Sequence, residues 1–496
     1  NGLKYFEKPP FHLWMTALSY HAFGVGEWQA RLWVALSGAI GLLMTMWAAR
    51  RWFGVRVAVL TGLVLLATPM WNLASHFNSL DMSISGALAC VLAGMLMAQH
   101  PEATPKSRRA WMWFAWGAIG VAVLTKGLIG IVLPGLVLVC YTLAARDWVL
   151  WRRLHIVSGA LLMLAISAPW FVLVSSRNPE FLPFFFIHEH WERYTTTIHQ
   201  RGAPVWYFVP QLLADFLPWI GLCVGIGAVL RLEARREGFR PALLLAIWAG
   251  AIFAFFSLSH SKLPGYIVPI FPALAILAAL ALDRLDLRRW NRQLVAMLCL
   301  AVLGLLACAW VGGPGASATQ NAVSGRYAWW LVAACALAVA GLVAARAVNR
   351  AGHLLPSIAV YSLTLFAATT LGLLAHETVG RGTSGIALVA PMRAVLTPEM
   401  PIYSVQKLDH TLPFYLQRTT IMVEAPDELE FGTQQEPQKW LPTLDAFLAE
   451  WSSGRRAMAI MSPGTYASLR GQNVIMFPLV QDARRVAVTN FAWAPQ

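Results

Sequence analysis

The chain has 496 residues, of which 58% are hydrophobic and only 12% charged, with a mean hydropathy of +0.57. Soluble domains carry about 25% charged residues, so these figures exclude a disordered chain, a collagen-like one and an ordinary soluble enzyme, and mark a polytopic membrane protein. The formal net charge of +14 sits in short loops between apolar runs, the pattern of membrane orientation and not of a nucleic-acid groove, so no nucleic-acid partner is expected.

The opening NGLKYFEKPP is polar and starts on Asn1, which suggests native sequence upstream. Pro9 and Pro10 stiffen the chain, and FHLWMTALSYHAFG then shows apolar residues at helical spacing, which predicts an interfacial helix. Apolar runs follow near 32–49, 57–74, 80–98, 111–125, 127–145, 155–174, 205–230, 241–257, 264–282, 293–311, 328–345 and 354–375. About 20 helical residues cross a hydrocarbon core of about 30 Å, so these are twelve candidate spans.

Charge tests the count. Alternate loops carry 19 Lys and Arg, from Arg50 and Arg51 through to Arg346 and Arg350, whereas the opposite side holds 9 before the tail. The richer side is cytoplasmic by the positive-inside rule. The N-terminal segment, the 175–204 loop and the tail then face outward, and a chain starting in the cytosol needs a thirteenth span upstream. Three regions result: an outer juxtamembrane segment at 1–31, a transmembrane region at 32–375 and an outer domain at 376–496.

That tail changes composition and holds nearly half of the 24 acidic residues. IYSV (402–405), TIMVE (420–424), AMAIM (457–461) and VIMFPLV (474–480) read as strands, and 411–417, 442–452 and 464–470 as helices. The alternation argues a small α/β domain. The six cysteines lie within apolar runs without CxxC spacing, so neither a disulfide framework nor a zinc site is supported by them.

Four polar clusters lie on the outer side. The first holds Tyr5, Glu7 and Lys8 in KYFEKPP; a surface acid and a snorkelling lysine would look the same. The second is Asp81 in NSLDMSISG, a first-turn acid or a carboxylate facing a cavity. The third is FLPFFFIHEHWERYTTTIHQRG (181–202), with His188, Glu192 and Arg193. HEHWE is not the zinc-peptidase HExxH, and two ligands at i and i+4 make half a metal site. The fourth comprises Lys126 in LTKGLIG, and His260, Lys262 and Tyr266 in SHSKLPGY. If brought together, Lys8, Lys126, Arg193 and Lys262 form a basic pocket suited to a lipid phosphate, with Glu7 and Asp81 nearby.

YFEKPPFHLW, TKG, HEHWER and SHSKLPGYIVPIFPALA, in that order, resemble the bacterial polyprenyl-phosphate sugar transferases. The resemblance is strongest to those that move 4-amino-4-deoxy-L-arabinose onto lipid A. These are relatives of the protein O-mannosyltransferases with a GT-C glycosyltransferase fold. The resemblance implies thirteen helices, a C-terminal α/β periplasmic domain, and transfer from undecaprenyl phosphate to lipid A phosphates outside the bacterial inner membrane. It assigns Asp81 as the acid beside the donor sugar, and Lys8 and Arg193 to the lipid phosphate. Lys126, Lys262, Tyr266 and Tyr5 become the donor-cavity lining, and Glu7 and His188 the ligands of a divalent cation such as zinc. The family's acidic pair upstream of NGL is absent from the sequence. Lipid A, the undecaprenyl-linked sugar and membrane lipids are the implied partners of a monomer. A transferase of the same fold acting on protein or glycan is the neighbouring alternative. A polyprenyl-linked sugar flippase is the alternative of another class, against which count the folded tail and the lack of an internal repeat.

Overall fold

A computed structural model describes residues 2–192, 202–233, 238–308 and 318–493. It divides into two compact units. One comprises Phe6–Ala309 with Leu331–Gly372, and the other Asn1–Tyr5, Trp310–Trp330 and Leu373–Gln496.

The first unit is helical. Helix α1 (Phe11–Phe23) follows the two prolines and ends at Gly24; α2 (Glu27–Phe53) is the first long apolar helix. Helices α3 (Val55–Leu66) and α4 (Pro69–His76) meet at a 63° bend, where Pro69 lacks the N–H that would continue α3. Helix α5 (Leu80–Ala98) is the most enclosed of this group, with 89% of its apolar window buried. Helix α6 (Pro105–Lys126) starts with Thr104 capping Ser107 N–H and Pro105 in the first turn. It stops at Gly127, whose φ of 76° only glycine adopts freely, and α7 (Ile129–Ala145) begins two residues later.

Among the described residues eight helices are long and apolar enough to cross a membrane, and ten segments are if each of two bent pairs counts as one span. The second pair is Val205–Asp215 with Leu217–Glu233, bent by 84°. The remaining two apolar runs of the sequence fall on the 22-residue α6 and the 17-residue α7. The described residues of each of the twelve runs are therefore largely helical, but not all are long and apolar enough to cross a membrane. Bent, proline-bearing segments leave backbone groups that hydrocarbon cannot satisfy. Buried side chains do so here: Trp248 Nε1 donates to Pro269 O at 2.9 Å, and the Tyr361 hydroxyl donates to Pro218 O at 2.8 Å.

The second unit holds a five-stranded sheet in the order β2-β1-β3-β5-β4. Strands β1 (Ile402–Val405), β2 (Ile421–Val423) and β3 (Met458–Met461) are parallel. Strand β5 (Val486–Thr489) runs antiparallel to β3 and to β4 (Phe477–Gln481). Strand β5 was not anticipated, because VAVT sits beside the charged QDARR and is short. Every residue of β1, β3 and β5 is buried, which explains why these strands lack an apolar–polar alternation. Residues 2–4 pack with this unit: Lys4 N–H donates to Glu436 Oε2 at 2.8 Å.

Candidate functional site

The chain places several polar groups around one cavity of about 360 Å³ in the first unit. Its polar wall comprises Glu7, Lys8, Lys126, Glu189, Ser259, Ser261 and Tyr266. Its apolar wall comprises Leu128, Ile129, Val132, Phe186, Phe255 and Phe256. Such a wall suits an amphiphile with an anionic head and a hydrocarbon tail.

Two lysines arrive from opposite directions. Pro9 and Pro10, both buried, fix the approach of Lys8 just before α1. Lys8 Nζ donates to Glu189 Oε2 at 2.9 Å and to the Glu7 carbonyl at 2.8 Å, and lies 3.6 Å from Glu7 Oε2. Glu189 comes from a π-helical stretch, Pro183–Glu192, anchored by rings: Phe181 and Phe185 stack at 5.2 Å, and Phe6 meets Phe181 edge-on at 5.3 Å. Glu189 is nearly sealed, its side chain being 1% exposed.

Lys126 ends α6 and is released by the glycine turn. It forms an ion pair and hydrogen bond with Asp81 Oδ1, in the first turn of α5. Its Nζ also lies 4.5 Å from the centre of the Tyr266 ring, a cation–π contact. The Pro264–Ile270 turn brings Gly265 against Asp81, and a Cβ there would sit 2.1 Å from Asp81 Oδ2. Glycine is required by that approach. Asp81 is not a wall residue; it meets the cavity through Lys126.

His12 fixes the start of α5. Its Nδ1 lies 2.8 Å from Ser83 Oγ and its Nε2 3.0 Å from Asn78 Oδ1. Burial lowers its pKa, against the raising effect of the Asn78 bond. A neutral ring satisfies both partners, accepting from the serine and donating to the amide oxygen.

The sequence-predicted residues thus separate. Lys8, Glu7, Lys126 and Tyr266 line one cavity, and Asp81 stands behind Lys126. Lys262 does not line it. Its Nζ donates to Ala203 O at 3.1 Å and to Ser259 O, tying two loops that also pair at Gly202 and Ser261. That side chain is buried among carbonyls, and burial lowers its pKa. Tyr5 belongs to the other unit and is 39% exposed. Arg193 lies outside the described residues. The His188 ring stacks on Phe184 at 5.2 Å, and it is not in the wall. Among the described residues no group of three or more His, Cys, Asp or Glu side chains could hold a metal ion.

The reading of HEHWER missed Glu189, the residue that meets Lys8. It treated the stretch as an α-helix with His188 and Glu192 aligned, whereas a π-helix pairs i with i+5 and turns a different face inward. Ser261 was also missed. It lines the cavity with its hydroxyl buried and, among the described residues, without a hydrogen-bond partner.

Comparison with known proteins sharpens this arrangement. The dolichyl-phosphate-mannose-protein mannosyltransferase family matches residues 7–172, and the aminoarabinose transferase C-terminal domain matches residues 388–490. The crystal structure of ArnT from Cupriavidus metallidurans bound to undecaprenyl phosphate superposes with a TM-score of 0.95, at 53% identity over all of this chain and 90% of that one. The chain belongs to the ArnT family. Its fold is accordingly the polytopic helical GT-C fold with a C-terminal sheet domain, and it is a membrane protein. Apo ArnT from the same organism superposes at 0.93. The undecaprenyl phosphate-α-4-amino-4-deoxy-L-arabinose arabinosyl transferase of Aeromonas salmonicida is 32% identical over 320 residues, covering 62% of this chain and 57% of that protein. Its namesake in Pseudomonas aeruginosa strain UCBPP-PA14 is 34% identical over 319 residues, covering 62% and 56%. The chain therefore spans little more than half the length of these curated ArnT relatives.

Proposed function

We propose that the chain transfers 4-amino-4-deoxy-L-arabinose from undecaprenyl phosphate to lipid A phosphate groups, on the periplasmic side of the inner membrane. The observation that carries this reading is the cavity with Lys8 and Lys126 on its polar wall and six apolar side chains on the other. The names of the relatives supply the sugar and the lipid.

In the reaction an acceptor phosphate oxygen bonds to the anomeric carbon as the bond from that carbon to the donor phosphate oxygen breaks. The electron pair stays on undecaprenyl phosphate. The acceptor is already anionic, so a general base has little to do. Positioning and stabilisation of the leaving phosphate carry the rate. Lys8 and Lys126 provide that stabilisation from a partly desolvated site, where an ammonium acts more strongly than in water. The Ser261 hydroxyl donates one further hydrogen bond. Asp81 acts by holding Lys126 over Tyr266. The apolar wall takes the first isoprene units.

The test is expression of the complete protein in a Gram-negative strain that lacks the modification, followed by mass spectrometry of lipid A. Addition of an aminopentose to the phosphates is expected. Unmodified lipid A, with the protein present in the membrane, would rule the reading out.

A further inference from the structure

Each lysine of the cavity donates a hydrogen bond to one carboxylate, Lys126 to Asp81 and Lys8 to Glu189, with Glu7 Oε2 3.6 Å from Lys8, and the two hydrogen-bonded carboxylates differ in position. Asp81 stands behind Lys126, outside the wall. Glu189 stands in the wall itself, 2.9 Å from Lys8 Nζ, at the place a phosphate oxygen on Lys8 would occupy. We infer that Glu189 is a displaceable counter-ion, which yields Lys8 to the lipid phosphate on binding and takes it back to expel undecaprenyl phosphate after transfer.

This rests on the transferase reading above, and follows from its charge balance. The donor is a phosphodiester with one negative charge. Breaking the glycosidic bond turns it into a phosphomonoester carrying up to two, while the acceptor changes from monoester to diester. The lysine that stabilises the leaving group therefore binds the product more tightly than the substrate, and release becomes the slow step unless something competes. A carboxylate on the same ammonium competes. It repels the growing charge and re-forms its ion pair with Lys8 as the phosphate leaves. The π-helical turn that carries Glu189 suits the role, since such turns occur at functional sites and interrupt the regular hydrogen-bond ladder. A purely structural ion pair would not need to sit in the wall of a cavity.

The experiment is equilibrium binding of undecaprenyl phosphate to the purified full chain in detergent. Wild type is compared with Glu189→Gln, Glu189→Asp, Lys8→Ala and the double variant Glu189→Gln/Lys8→Ala. Glu189→Gln keeps the shape and removes the charge, and should bind undecaprenyl phosphate about tenfold more tightly. Single-turnover transfer by that variant should remain, while multiple turnover slows in proportion to product affinity. Glu189→Asp should stay close to wild type, and the gain should disappear in the Lys8→Ala background. Equal or weaker binding by Glu189→Gln, or a gain that survives without Lys8, overturns the inference. Absence of undecaprenyl phosphate binding by wild type overturns instead the transferase reading on which it rests.

Discussion

The protein carries two kinds of ion pair, and they differ in burial and in what they border. In the sheet domain Arg485 and Asp409 pair with side chains 6% and 2% exposed. Asp409 Oδ1 accepts from Leu412 N–H at 2.9 Å, Thr411 N–H at 3.0 Å and the Thr411 hydroxyl at 3.1 Å. Arg485 donates in addition to Thr383 O at 2.8 Å and to Asp482 Oδ2 at 3.1 Å. No residue of that cluster lines the 360 Å³ cavity. In the helical unit Lys8 and Lys126 are each 18% exposed and open onto 360 Å³ of space. The same chemistry ties a loop in one place and borders open space in the other. Burial and the space beside the pair separate the two settings.

The largest break in that comparison should come from Arg485→Ala. It strands Asp409 and Asp482 in the domain interior, and removing one partner of a buried pair costs about 3–5 kcal/mol. Denaturant unfolding of the full chain, followed by amide exchange across 402–489, should show that loss. A change below about 1 kcal/mol would mean that the cluster is solvated in solution. Next in size, Lys8→Ala should lower kcat/KM for transfer by about 10²–10³-fold, as expected for losing a charge aimed at the leaving group. Its unfolding curve should stay near wild type, in contrast to Arg485→Ala. A variant that lost stability and kept its rate per folded molecule would place Lys8 among the structural pairs.

The order of these effects reflects what could be read from sequence. Apolar helices and four of the five tail strands are legible because each depends on local pattern: apolar runs of fixed length, β-rich segments, and charges that break them. Lys126 followed by Gly127 is of that kind, a cation at a helix stop. Glu189 is not. Its partner is 181 positions away in the chain, and its facing depends on a π-helical turn that an α-helical reading rotates out of place. Lys262 shows the reverse failure. A lysine in an SKLPGY loop looks like a phosphate ligand until the backbone carbonyls of Ala203 and Ser259 are seen around it. The Arg485 cluster was not anticipated at all, since its members span more than one hundred residues from Thr383 to Arg485.

Gly265→Ala tests the pairing behind the wall. Its Cβ would sit 2.1 Å from Asp81 Oδ2 and 2.8 Å from Asp81 Cβ, so the two segments must move apart and the Asp81 grip on Lys126 over Tyr266 loosens. About a tenfold fall in transfer rate is expected, with undecaprenyl phosphate binding weakened less than by Lys8→Ala. Unchanged kinetics would show that Asp81 has room to move and that its contact with Lys126 does not set the rate.

The smallest effect is one of pH, and it belongs to the Arg485–Asp409 cluster. Burial pushes the Asp409 carboxyl up, but the Leu412 N–H, Arg485 and Thr411 bonds together outweigh it and hold the pKa below its ordinary value. An unfolded aspartate titrates near about 3.9. Above that pH the carboxylate is ionised in both states and its full stabilisation is present. As pH falls through about 3.9 the unfolded chain takes up the proton first, so stability declines. The contribution is gone once pH drops below the lower folded value. Asp409→Asn should therefore be less stable than wild type at neutral pH, and its stability should fall less steeply with acid below about pH 4. Amide exchange at Thr411 and Leu412, followed from pH 7 downward with correction for intrinsic rates, reads that slope directly. Parallel curves for the two proteins would mean that Asp409 has the same proton affinity folded and unfolded, and that its bonds to Thr411 and Leu412 open in solution.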